Sequence, residues 1–503
     1  MPSSLPRLVA MFAVTLAGCV VGPDYHPPNA PSVERYTAQP LPATTGAISG
    51  ITAGHAQHFA PGADLPAEWW ALFHSEALNH LVAAALKANP DLAAAQAALR
   101  VAQENYRAAG GALWPALNGV LQAQRQRTPG ALFGQPRFPG SIYTLYQAQA
   151  QVSYVPDVFG GTHRTIEREG ATVDYARMEL EAARLSLTAN VVATAVQVAA
   201  LNQQIAAQHA IIDAYVESAG ILRRQVELGG ASQAARQQLL TLLAQARAGL
   251  PPMQRQRAAA QNLLATLTGH FPSEMPALDI QLDNLALPNT LPVSLPSRLV
   301  EQRPDIQAAS ARLHEASAAV GIAIANRLPQ ITLTANLGTL ATHPEDLFSP
   351  GGGLWNFGAA LTQPIFKGGE LLHRQRAAQA SFEQAKAQYR STVLTAFRDV
   401  ADTLQALQTD ADALRTQRAA QQAAGQLLEI AKGQYQAGGL TYPGVLEAGL
   451  AWQRARIATI QAQAARYSDT AALFQALGGG WWNRADTAVA STAQVAQPIS
   501  TTP

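Results

Sequence analysis

Tyr146-Gln147-Ala148-Gln149-Ala150-Gln151-Val152-Ser153-Tyr154 changes character at every residue. In an extended chain Tyr146, Ala148, Ala150, Val152 and Tyr154 share one face, and Gln147, Gln149, Gln151 and Ser153 share the other. The pattern recurs downstream. Ile331, Leu333, Ala335 and Leu337 alternate with Thr332, Thr334 and Asn336, and Trp355, Phe357, Ala359 and Leu361 alternate with Asn356, Gly358, Ala360 and Thr362. Strands are therefore expected near 117–127, 144–155, 330–340 and 354–364, four per chain. Each runs about ten residues, enough to cross a bilayer as a tilted strand. One apolar, aromatic-bearing face and one polar face is the pattern of a membrane barrel with a wet lumen. Alternation by itself fits a soluble sandwich with one buried face as well.

The segments that follow each strand pair read as helix. From Thr162 to Leu228 the chain has no proline and few glycines, a run on the order of 100 Å long as α-helix. Val191, Val198, Ile205, Ile212, Ala219 and Val226 recur every seventh residue, with Leu201, Tyr215 and Leu222 three beyond members of the series. Val393, Val400, Leu407, Leu414, Leu428 and Tyr435 repeat that register in the second half, with Gln421 interrupting. Such a seam packs knobs into holes on neighbouring helices. Each seam ends at a glycine pair, Gly229-Gly230 and Gly438-Gly439, suited to the left-handed turn at a helix C-terminus. Returning helices are expected over 233–268 and 443–477, with Pro443 at a first helical position. Pro251-Pro252 is expected to kink or break the first of them.

The same story is thus told twice. Asn89-Pro90-Asp91-Leu92 leads to Trp114-Pro115-Ala116-Leu117, and Arg303-Pro304-Asp305-Ile306 leads to Leu328-Pro329-Gln330-Ile331 without a gap. This is a duplicated architectural unit rather than a short solenoid repeat, over 65–290 and 291–482. Residues 19–64, rich in Pro, Thr, Gly and Ala, read as an extended surface segment. Residues 483–503 read as a disordered tail.

The N-terminus reads as an export signal over 1–18: Arg7 precedes the short apolar run Leu8 to Ala17. No other stretch is long and apolar enough for a transmembrane helix. The chain has one cysteine, Cys19, so no internal disulfide forms. Leu16-Ala17-Gly18-Cys19 resembles a bacterial lipobox, which implies diacylglycerol and an N-acyl chain on Cys19. Several acyl chains anchor a protein firmly. Val20, where an aspartate would resemble an inner-membrane retention signal, favours the outer membrane. Charged residues are only 14% of the chain and the formal net charge is +1, which gives no reason to propose nucleic acid as a partner.

Four strands cannot close a barrel, and an open sheet edge is not tolerated facing lipid. Single-chain bacterial barrels start at about eight strands. Two copies would supply eight strands and three would supply twelve, the larger count leaving room for a solute path. At this point the residues are similar to a known family. Gly18-Cys19-Val20-Val21-Gly22-Pro23-Asp24-Tyr25, Trp69-Trp70 with Phe73 and Leu78, and the two helix starts above resemble the TolC-like outer-membrane factors of the NodT-type lipoprotein branch. So do Tyr154-Val155-Pro156-Asp157-Val158-Phe159-Gly160, Pro364-Ile365-Phe366-Lys367-Gly368-Gly369 and Ala476-Leu477-Gly478-Gly479-Gly480-Trp481. The resemblance covers about residues 16–482. It implies a mainly α fold with a membrane β-barrel: a homotrimer with twelve strands, continued by a twelve-helix periplasmic α-barrel. It also implies the exit duct of a tripartite efflux pump, joined to a periplasmic adaptor and an inner-membrane transporter of the resistance-nodulation-division type.

Family members close the periplasmic end with polar and charged residues near the conserved turns. The candidates here are Glu447, Tyr435 and Arg236, with Gly229, Gly230, Gly438 and Gly439 as the turn glycines. Three copies of Glu447 would make a cation-attracting ring. The chain departs from the family where Gly444 replaces a second acid, Leu440 a gate arginine and Ala235 a first-half acid. No nucleophile-elbow, zinc-helix or phosphate-loop motif is present, so no enzyme, metal or cofactor is expected beyond the covalent lipid. His55 and His58 have ligand-like spacing but no cysteine or acid beside them. A protein-secretion duct shares this architecture, and a lipid-anchored coiled coil without a pore is the remaining alternative.

Overall fold

The computed structural model describes residues 20–129, 139–276 and 280–484. A short strand, β1 (His58–Pro61), is followed by α1 (Glu76–Ala88) and α2 (Pro90–Gly111), then β2 (Ala116–Thr128), β3 (Ser141–Tyr154), α3 (Gly161–Glu227) and α4 (Gln233–Leu267). After β4 (Thr290–Val293) the order repeats: α5 (Pro296–Gln302), α6 (Pro304–Ala325), β5 (Gln330–Ala341), β6 (Gly353–Thr362), α7 (Glu370–Gln436) and α8 (Tyr442–Ala476). Counterpart helices have equal lengths, 22 residues in α2 and α6, 67 in α3 and α7, and 35 in α4 and α8. The repeated Pro-Asp motifs are helix starts. Asn89 Oδ1 accepts the Leu92 N–H at 3.0 Å and Pro90 is the first residue of α2, the place where a missing N–H costs nothing.

The chain packs as two compact units, each drawing on both halves of the sequence. One comprises residues up to Pro28, Ala98–Ala176 and Ala308–Tyr389. Its sheet has the order β2-β3-β5-β6, antiparallel throughout. Register decides what each face is made of, because directly opposed residues project to the same side. Leu117 pairs with Val152, Leu121 with Ala148, Ala150 with Leu337, Val152 with Ala335, Leu337 with Trp355 and Ala335 with Phe357. The apolar sets of all four strands therefore merge into one face. Gln122 opposite Gln147, Gln151 opposite Asn336 and Asn336 opposite Asn356 build the polar face. Among the described residues nothing covers the apolar side: Leu121 is 82% exposed and Trp355 79%. Among the described residues β2 and β6 each pair on one edge only.

The same unit straps down residues 20–25. Arg164, buried, donates from Nε to the Val21 carbonyl at 3.0 Å and from a terminal nitrogen to Asp24 at 2.8 Å. Tyr25 stacks on His314 at 4.2 Å and bonds Ser310.

The other unit holds Asn29–Ala97, Arg177–Gln307 and the chain from Arg390. Its core follows the seven-residue seams: Val191, Val198, Val400, Leu404, Leu407 and Leu414 are fully buried. Trp69, Phe73, Tyr467 and Phe474 form an aromatic knot, with Trp69 and Phe474 centroids 5.7 Å apart. Ala219, Val226, Gln421, Leu428 and Tyr435, late in the seams, are only half-buried.

Several expectations need correction. The chain has six strands among the described residues, because β1 pairs in parallel with β4 in a separate two-stranded sheet. Strands of four residues are too short for an alternation signal. The long strands run 116–128, 141–154, 330–341 and 353–362, against an expected 117–127, 144–155, 330–340 and 354–364. Residues 19–64 are not wholly a surface segment. Thr45, Ala53 and Gln57 are buried against Arg466 of α8, which donates to Thr45 Oγ1, to the carbonyls of Ala53 and His55, and to Gln57 Oε1. Pro251 and Pro252 do not break α4, which runs through them without interruption. Both are exposed, so the carbonyls they leave unbonded face water, while Leu243 and Ala246 before them and Ala260 and Leu264 after them are buried. Pro443 is the second residue of α8, not the first. An 18-residue window of α3 is apolar enough to cross a membrane, contrary to expectation, but 67% of it is buried inside the protein as core helix. The tail does not begin at 483: Asn483 donates to the Leu65 carbonyl, and Arg484 grips Glu181 with two bonds of 2.7 Å. Residues 485–503 and the signal segment lie outside the described residues, as does Cys19.

Candidate functional site

The two glycine pairs shape one end of the helical unit. α3 ends with Gly229 at φ +77° and a bond from Gly230 N–H to the Gln225 carbonyl at 2.7 Å. α7 ends alike, with Gly438 at φ +75° and Gly439 N–H on the Gln434 carbonyl at 2.8 Å. Both are Schellman turns, in which the first glycine takes the left-handed conformation. Gly230 and Gly439 carry no positive φ. Ser232 then caps α4 by accepting the Ala235 N–H at 3.2 Å.

Four helix ends meet behind these turns. Ile211, Ile212, Tyr215 and Leu222 of α3 pack with Leu239, Leu243 and Ala246 of α4 and with Leu446 of α8. Polar ties cross the gap that remains. Gln225 Nε2 donates to the Tyr435 hydroxyl at 2.8 Å, linking α3 to α7. The Tyr442 hydroxyl donates to Ser218 Oγ, linking α8 to α3. The two tyrosine rings lie 5.2 Å apart, tilted by 58°. A cleft of about 580 Å³ opens beside them, bordered by Tyr215, Ser218, Lys432, Tyr435, Tyr442 and Trp452. Burial pushes the Tyr442 and Tyr215 phenols above their ordinary value, so both stay protonated. Neutral phenols can tie helices without charge, and such ties are cheap to exchange for water.

Tyr435 is thus half-buried and hydrogen-bonded as part of the tie. Glu447 is exposed and makes no hydrogen bond or ion pair among the described residues. Arg236 lies half-buried on the first turn of α4. Nothing in one chain brings Glu447 and Arg236 into an ion pair. Sequence reasoning missed Ser218, Gln225 and Tyr442 as tie residues. Tyr435 and Tyr442 flank one glycine pair at a spacing that carries no motif, and their partners are more than two hundred positions away.

Farther along the same unit, α7 and α8 place two carboxyls together. Asp410 lies next to Asp469 and near Arg466. Burial, then the neighbouring Asp469, push the Asp410 carboxyl up to about 7. The pair holds a proton near neutrality because two adjacent carboxylates repel. No local sequence signal marks it.

In the strand unit the polar face is lined by Gln122, Gln147, Gln149, Gln151, Asn336 and Asn356, a surface suited to water rather than to one ligand. Among the described residues no group of three or more His, Cys, Asp or Glu could hold a metal ion.

The profile of a family described as outer membrane efflux protein matches residues 81–270 and 295–479. A toluene efflux pump outer membrane protein, TtgC of Pseudomonas putida, is 30% identical over 95% of this chain and 96% of its own length. A pyoverdine export outer membrane protein, OpmQ of Pseudomonas aeruginosa, is 30% identical over 82% of this chain and 87% of its own. Among solved structures, the open state of the MtrE outer membrane channel of Neisseria gonorrhoeae superposes with a TM-score of 0.78 at 26% identity, covering 92% of this chain and 99% of that one.

Proposed function

Because the chain belongs to the outer membrane efflux protein family, an outer-membrane efflux channel of TolC-like fold, we propose that it serves as the passive, gated exit duct of a tripartite pump. Three copies would close twelve strands around a wet lumen. A periplasmic adaptor and a proton-driven inner-membrane transporter would supply coupling and energy, and this chain is assigned no catalytic step. Lipid on Cys19, two residues before the Val21 carbonyl held by Arg164, would anchor each copy. The observation that carries the reading is the sheet: among the described residues, a continuous apolar face left uncovered, a glutamine- and asparagine-rich face opposite, and two unpaired edges. Such a sheet is tolerated in lipid only when closed by further strands.

Small toxic solutes are the proposed cargo. The relatives carry different cargoes in their names, toluene and pyoverdine, which supports selection upstream of the duct. The helix-end ties support a gate: opening would exchange the Gln225–Tyr435 and Tyr442–Ser218 bonds for water. Glu447 would face the narrowed end as an acidic ring. Reconstitution of the purified protein in planar bilayers tests the duct. Stepwise single-channel currents are expected, with cation block weakened by Glu447→Ala. A protein that inserts and never conducts would refute the duct. Deletion of the gene with a screen for toxin sensitivity would narrow the cargo.

A further inference from the structure

The four long strands carry only two charged residues, Arg125 and Arg127, and no acid at all. Both lie on β2, two positions apart, hence on one side of the sheet. Register assigns that side. Leu117, Gly119, Leu121 and Ala123 precede them on the same face, and Arg125 and Arg127 stand opposite Thr144 and Ile142, one and two pleats beyond Tyr146. The arginines therefore cap the apolar face, not the polar lumen. They also sit at a defined end. β2 begins just after α2 and β3 ends just before α3, so the arginines occupy the end of the strands away from the helices. Both are exposed, and neither makes a hydrogen bond or ion pair among the described residues.

A face that is apolar in its middle and cationic at its far rim is complementary to a lipid leaflet with anionic headgroups. Guanidinium groups bond phosphate oxygens bidentately while their alkyl stems stay on the apolar surface. With helices on the periplasmic side, the rim lies at the outer leaflet, whose headgroups are phosphorylated glycolipid. We propose that Arg125 and Arg127 form a binding site for the phosphates of that outer-leaflet glycolipid, repeated in each copy of the barrel. The inference rests on the barrel reading above, since only a closed barrel turns this face to lipid.

The test uses the full-length wild-type protein in nanodiscs doped with either bisphosphorylated lipid A or its dephosphorylated form, with retained lipid counted by native mass spectrometry. The wild type is expected to retain the bisphosphorylated form about tenfold more strongly, from attraction at two cationic side chains. Arg125→Gln with Arg127→Gln should abolish that preference, and Arg125→Lys with Arg127→Lys should keep part of it. Equal retention of the two lipids by the wild type would overturn the proposal without recourse to any variant. Displacement of the lipid by millimolar inorganic phosphate would overturn it too, by assigning the site to a free anion. Single-channel currents from the same samples report the barrel separately. A conducting protein without lipid preference fails this inference alone, and a non-conducting one fails the barrel.

Discussion

Gly229 and Gly438 do what their neighbours do not. Both sit at positive φ, whereas Gly230 and Gly439 do not, and a Cβ on either of the latter would meet a carbonyl oxygen at 3.5 or 3.7 Å, an ordinary contact. Gly229→Ala and Gly438→Ala should each cost about 1–2 kcal/mol. Gly230→Ala and Gly439→Ala should be neutral or stabilise by roughly 0.5 kcal/mol. Melting the helical circular dichroism signal of the four variants checks the contrast, and equal losses at all four would contradict it. The sequence shows two glycine pairs, but only backbone torsion tells which member is needed. Asp410 gives a second residue-scale test. Its carboxyl is raised to about 7 in the fold, against about 3.9 in an unfolded chain. Between these values the folded state holds a proton that the unfolded state releases, so stability falls as pH rises through that window and levels off above it. Asp410→Asn should flatten the decline, gaining on the wild type at alkaline pH and not at acid pH. A parallel pH profile for the two proteins would contradict the shared proton.

At the scale of elements, α3, α7 and α8 are joined near their ends by two hydroxyl ties, with no ion pair between them among the described residues. Tyr435→Phe with Tyr442→Phe removes both, each worth about 0.5–1.5 kcal/mol. Open probability in single-channel records should rise roughly tenfold, and an unchanged value would show that the ties do not restrain opening. Helix and strand were legible in the sequence because their periods are strong. The heptads at Val191 and Val400 and the alternation from Tyr146 to Tyr154 are set by residues that must all face one way. What sequence did not reveal depends on partners far along the chain. Pro251-Pro252 argues locally for a break, but burial of Leu243, Ala246 and Leu264 holds α4 through them. β1 and β4 are four residues each and exist because they pair across more than two hundred positions. Gln225, Ser218 and the carboxyl pair Asp410–Asp469 are likewise products of packing, with no local pattern to announce them. Glu447 is a gate candidate by family resemblance alone, and in a single chain it is exposed.

Over the whole molecule, a sheet with its apolar face uncovered and its edges open makes sense only in company. That face predicts an asymmetry between neighbours on β2. Leu121→Lys, on the apolar side, should cost about 2–4 kcal/mol in a membrane, while Gln122→Lys, on the polar side, should fold and conduct with altered ion selectivity. Yields of correctly inserted protein separate the two, and equal tolerance would mean that the faces are assigned the wrong way round. Closure itself is the deeper claim, since each copy supplies four strands of a wall that must have no edge. The mass of the detergent-solubilised protein, measured by native mass spectrometry, addresses it most directly. Three chains per particle are expected. A particle holding a single chain that still shows strand signal in lipid would contradict the account at its centre.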